Sequence, residues 1–142
     1  MASADTHKTF FLNVDLEVFA RSSLEPLAAA LDDRVFPLYV GRHANHFRAH
    51  FELHTSPRKG AHALIAGLAR LVKELPPKAR AVWNGAYRRD FNIGIQAGAV
   101  PDSYELFLTP DALSLASTVN ARIVVTIYAA EASKARRRRP TR

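Results

Sequence analysis

Residues 45–55 read "NHFRAHFELHT", and whether this stretch is a helix or a strand decides the fold. His46, His50 and His54 recur every fourth residue, a spacing that gathers side chains on one face of a helix. The apolar residues disagree. From His46 to Leu53 polar and apolar side chains alternate without a break: Phe47, Ala49, Phe51 and Leu53 against His46, Arg48, His50 and Glu52. A period of two marks a strand with one wet face. Helical bookkeeping would set Phe47, Phe51 and Leu53 among polar positions. The apolar run "RVFPLYVG" and the short "GRHAN" that follows it make a hairpin with this strand. Pro37 lacks an amide donor and puts an edge or a bulge in the first arm.

The strand reading removes the metal site that the histidines suggest. Residues four apart on a strand are separated by about 13 Å. Zinc holds ligand nitrogens at about 2.0–2.1 Å. His46, His50 and His54 therefore cannot share one ion. Only neighbours two apart, such as His50 with Glu52 or Glu52 with His54, are close enough, and Asp15 or Glu17 would have to supply a further ligand. We expect no metal, no cofactor and a solvated polar face with cross-strand ion pairs.

Outward from the hairpin, "FLNVDLEV" alternates in the same way, with Leu12, Val14, Leu16 and Val18 opposite Asn13, Asp15 and Glu17. "SSLEPLAAALDD" is a helix with Ser22 or Ser23 as cap, Glu25 in its first turn and a stripe of Leu24, Leu27, Ala28 and Leu31. "AHALIAGLARLVKELPP" carries the longest helical stripe and stops at Pro76-Pro77. "KARAVWNGAYRR" reads as a shorter helix with Val82, Trp83, Ala86 and Tyr87 inward. "DFNIGIQAG" and "SYELFLT" are strands. Thr109, Pro110 and Asp111 then form the start of a helix, and "RIVVTIYAA" closes the fold as a strand.

The order is β-α-β-β-α-α-β-β-α-β. The expected fold is α+β: a six-stranded, mixed, largely antiparallel sheet built from two split β-α-β units, with right-handed crossovers and helices mainly on one face. Residues 1–7 are read as a flexible N-terminus, 8–131 as one domain and 132–142 as a disordered basic tail.

The segments "LPPKARAVWNGAYRRDFNIGIQAG", "SYELFLTPDAL" and "ARIVVTIYAAE" resemble a small bacterial family of unknown function. The resemblance covers most of residues 10–131. It implies those domain limits and brings no activity or catalytic residue with it.

The polar side of the sheet is the candidate site. Asp15 and Glu17 on the first strand and Arg48, His50 and Glu52 on the third, joined by Asn13, Asn92 and Gln96, are expected to project together as a ligand or partner face. Antiparallel sheets commonly leave one face in water, so such a surface is open to a protein partner. Other motifs carry less. "YRRD" at residues 87–90 is read as arginines at a helix end, where cations stabilise the dipole. Trp83 is read as core. "GIQAG" lacks a phosphate-loop fingerprint, and no serine sits in a nucleophile elbow, so no catalytic residue is assigned.

The net charge is +7 over 142 residues. Lys134, Arg136, Arg137, Arg138, Arg139 and Arg142 supply +6 of it, which leaves +1 for residues 1–131. The basicity is a tail. Guanidinium groups there would bind nucleic-acid phosphates weakly and without sequence preference. No aromatics interleave for base stacking. There is no cysteine, so disulfides and thiolate chemistry are excluded. No signal peptide is evident and no run reaches the ~18 apolar residues of a membrane span, so a cytoplasmic protein is expected, with no membrane association. The reading is a non-enzymatic binding or protein-interaction module. The alternatives are a nucleic-acid-associated protein acting through its tail and a hydrolase-type enzyme on the polar sheet face.

Overall fold

The structure is a computed structural model that describes residues 7–54 and 59–130. Strand β1 (Phe10–Ala20) is followed by helix α1 (Glu25–Leu31), β2 (Val35–His43), β3 (His46–Leu53), α2 (Ala61–Lys73), α3 (Pro77–Gly85), β4 (Arg88–Gln96), α4 (Pro110–Thr118) and β5 (Arg122–Tyr128). The fold is α+β. The opening stretch is the strand that its alternation predicts, and Ala44 and Asn45 turn it back on β2. Ala44 takes a left-handed φ of 55° there.

Among the described residues the sheet has five strands in the order β2-β3-β1-β4-β5. β1 is central and antiparallel to β3 and β4; β5 alone runs parallel to its neighbour, β4. The sheet is therefore mixed and largely antiparallel. Val14, Leu16, Val18, Phe51, Phe91 and Ile93 are buried on one face. There they meet Leu27 and Leu31 of α1, Leu64, Ile65, Leu68 and Val72 of α2, Trp83 of α3 and Ala112 and Ala116 of α4 in one cluster. Burying each large side chain contributes about 1.5–3 kcal/mol. The Trp83 indole N–H, deep in this layer, donates to the Val119 carbonyl at 2.9 Å. The opposite face keeps Asn13, Asp15, Glu17, His50, Glu52 and Asn92 half-exposed.

The sixth strand does not form. Residues 103–109 make no ladder. Leu106 and Leu108 pack against the core, and the ring of Phe107 stacks on His62 at 5.1 Å, at the start of α2. The alternation in "SYELFLT" reports real half-burial, but against the helix layer. β5 takes the edge of β4 instead. Only one β-α-β unit is then split: β1-α1-β2, with β3 inserted between its strands. The other, β4-α4-β5, joins adjacent parallel strands.

Three local readings also change. A register shift between Phe11 and Asn13 leaves Leu12, expected on the apolar face, exposed on the open one. The N-cap of α1 is Leu24 without a side-chain bond, although Ser23 Oγ accepts from the Glu25 N–H at 3.2 Å. Helix α3 ends at Gly85, so Tyr87 faces solvent and Arg88, Arg89 and Asp90 open β4. The helix start at Thr109 is as expected, its hydroxyl accepting from the Ala112 N–H at 3.2 Å. The expectations for residues 1–6 and for the tail from Glu131 lie outside the described residues.

Candidate functional site on the open sheet face

Strand register assembles the polar face. Asp15 lies opposite Glu52 on β3 and Asn92 on β4; Glu17 lies opposite His50 and Asp90. The five residues expected on this face, Asp15, Glu17, Arg48, His50 and Glu52, are thus brought onto neighbouring positions of two strands. A polar row crosses the sheet through them. The Thr126 hydroxyl donates to Asn92 Oδ1 at 2.8 Å, Asn92 Nδ2 donates to Glu17 Oε2 at 3.1 Å, and His50 Nδ1 stands 4.0 Å from that oxygen.

The row divides the face into two ends. At one end Leu12, Asn13, Asp15, Glu52, Asn92 and Gln96 line an open pocket of about 360 Å³. Gly94 and Tyr128 complete its lining. A Cβ on Gly94 would be in ordinary contact, 3.7 Å from Leu12 and Tyr128. Burial, together with the charges of Glu52 and Glu17, pushes the Asp15 carboxyl up to about 6.

At the other end arginines lie over aromatic rings. The Arg88 guanidinium sits 4.5 Å from the centroid of Phe19, and that of Arg48 sits 5.0 Å from Tyr39. The His50 ring lies between Phe19 and Tyr39, at 5.9 and 6.5 Å. Tyr87 packs against Phe19 at 6.5 Å and His46 at 5.6 Å. Burial lowers the pKa of His50; the carboxylate of Glu17 opposes this, and the charges of Arg48 and Arg88 reinforce it. His50 is therefore neutral at pH 7, and its approach to Glu17 is not an ion pair. Buried nitrogens of His50 (Nε2) and Arg48 (Nε) have no hydrogen-bond partner among the described residues.

Under this end lies a residue that the sequence reading missed. Asp90 is fully buried on the face, accepting from Arg88 Nε at 2.7 Å, Arg122 Nε at 2.7 Å and Arg122 Nη2 at 3.0 Å. Burial pushes this carboxyl up, but the hydrogen bonds and charges of Arg122 and Arg88 outweigh it and hold the pKa below the ordinary value. The clamp fixes Arg88 over Phe19.

The histidines point to separate partners. His46 packs on Tyr87, His50 stands by Glu17, and His54 Nδ1 lies 2.9 Å from the Asp33 carbonyl. Among the described residues no three His, Asp or Glu side chains converge closely enough to hold a metal ion, and no helix is long and apolar enough to cross a membrane. Compared with known proteins, the chain matches no family model, no curated protein and no solved structure.

Proposed function

We propose that this protein is a non-enzymatic binding module that docks a protein partner on the open face of its sheet. One observation carries the reading. The helices occupy the other face, and the open one presents Tyr39, Arg48, His50, Phe19, Arg88 and Tyr87 as a continuous row held by its own ring contacts. Tyrosine and arginine dominate the energetics of protein interfaces, and lysine, which interfaces disfavour, does not occur in the row. The arginine end suits acidic groups of the partner, and the Asp15–Glu52 pocket suits a basic one. A photo-crosslinking amino acid at position 39 or 87 should capture a specific partner in cells, and Arg88→Glu should abolish the adduct. The same probe at Lys73, on the helix side, should capture none. Adducts only from position 73, or adducts indifferent to Arg88→Glu, would overturn the reading.

Two other readings rest on particular observations. The raised pKa of Asp15 beside Glu52 is the kind of pairing that acid–base hydrolysis uses. A hydrolase-type activity on chromogenic esters or phosphoesters, lost in Asp15→Asn, would establish it. The six basic residues among 132–142 favour weak, salt-sensitive nucleic-acid binding.

A further inference from the structure

The sheet has two edges, and among the described residues they differ in protection. β2 carries Pro37, a register shift between Pro37 and Tyr39, and Arg42 near its end. Proline, bulges and charge are the means by which natural sheets prevent edge pairing. β5 has none of these within "IVVTI", residues 123–127. Val125 is 53% and Ile127 66% exposed, high values for β-branched residues in a strand.

The orientation of the peptide groups is fixed. The Ala97 N–H donates to the Tyr128 carbonyl at 2.9 Å, so the peptide groups of Tyr128 face β4. Such groups alternate from side to side along a strand. The N–H and C=O of Ile123, Val125 and Ile127 therefore point away from β4, at the outer edge of the sheet.

We propose that β5 pairs antiparallel with β5 of a second copy of this chain, about a two-fold axis at Val125. An isologous contact needs a surface complementary to itself, and this strand is. Val125 is the middle residue of the seven in β5, so this register overlaps the whole strand. Val125 meets the partner's Val125, and Ile123 meets the partner's Ile127, using the outward peptide groups throughout. The helix side gains an unbroken β-branched row. On the open side Arg122, held by Asp90 of its own chain, falls opposite the partner's Tyr128, so no charge faces a like charge. The two five-stranded sheets become one. The proposal does not depend on what the polar face binds.

Sedimentation of the full chain at micromolar concentration tests it. The expected result is twice the chain mass, falling to one chain mass in Val125→Lys. A monomer at every concentration, or a dimer indifferent to Val125→Lys, overturns the proposal. Should Val125→Lys fail to fold, hydrogen exchange on the wild-type chain decides. The amides of Ile123, Val125 and Ile127 should be protected at high concentration and lose that protection on dilution, while those of Val124 and Thr126 stay protected in the β4 ladder. Free exchange of the first three at high concentration, or protection only when another protein is added, overturns it.

Discussion

Asp15 and Asp90 occupy adjacent strands on one face of one sheet and behave oppositely. Asp90 is fully buried, yet its pKa falls; Asp15 is only partly covered, yet its pKa rises to about 6. Burial raises both. The neighbours decide between them. Asp90 is bound by Arg88 and Arg122, whereas Asp15 faces Glu52 and Glu17. One end of the face is therefore built to keep its own charge, and the other is held in a state that a cationic partner would relieve.

The sharpest way to break this contrast is to remove the arginine clamp. Asp90→Asn should cost roughly 2–3 kcal/mol at neutral pH, the low end for a buried charge pair, because both guanidinium groups reach water. The sign follows from linkage. A carboxyl with a depressed folded pKa stabilises above its unfolded pKa, and that contribution is lost as pH falls through the folded value. Thermal denaturation of both proteins should show the gap at pH 7 and its closure below about pH 4. A gap that stays constant with pH would mean that shape, not charge, holds Asp90.

Asp15→Asn should do the reverse. Here the folded pKa is raised, so wild-type stability declines as pH rises from about 4 towards 6 and stays lower above that. The substitution should stabilise by about 1 kcal/mol at pH 8, discounted for partial exposure, and by nothing near pH 4. Destabilisation at pH 8 would show that the carboxylate is satisfied by contacts other than those seen.

Between the two ends stands His50, neutral at pH 7 and wedged between aromatic rings. Its buried Nε2 has no hydrogen-bond partner among the described residues, which is a cost that function would explain better than stability does. His50→Phe should leave stability unchanged or raise it by up to about 1 kcal/mol, while crosslinking at Tyr39 falls. Lower stability measured by urea unfolding would show that the imidazole is held by a group not apparent in the structure.

Much of this was legible in the sequence, and the failures have physical causes. The alternation from His46 to Leu53 fixes both the strand and the side on which His50 and Glu52 lie. The same rule over-reaches at residues 103–109, because alternation reports which side chains are covered and not whether the backbone has a ladder partner. Asp90 opens the strand "DFNIGIQAG", where the alternation of Phe91, Ile93 and Ile95 already sets it on the polar face with Asn92; grouping it with the arginines of "YRRD" at a helix end hides that. Its second partner could not be found that way. Arg122 is 32 residues further along, and only the parallel pairing of β4 with β5 brings it there.

The smallest expected effect concerns a third set of charges, those of the C-terminal tail. The arginines at Asp90 matter to stability because they face a desolvated carboxylate. Residues 132–142 contain six basic side chains and no large apolar one, so they have nothing to bury and no such partner is implied. Deleting them should leave the melting temperature within a few degrees, as calorimetry would show. Their effect should be on nucleic acid instead. Phosphate neutralisation by counterion release gives a dissociation constant on the order of 10⁻⁴–10⁻⁶ M at physiological salt and a slope of log affinity against log salt near about −5 if all six engage duplex DNA. Replacing Arg136, Arg137, Arg138 and Arg139 by alanine should abolish that binding for every sequence alike, because contacts to phosphate carry no base sequence and the segment has no aromatic side chain to stack on bases. Sequence-selective binding that survives the four substitutions would move recognition to the open face. There the arginines over Phe19 and Tyr39 would be the residues to replace next.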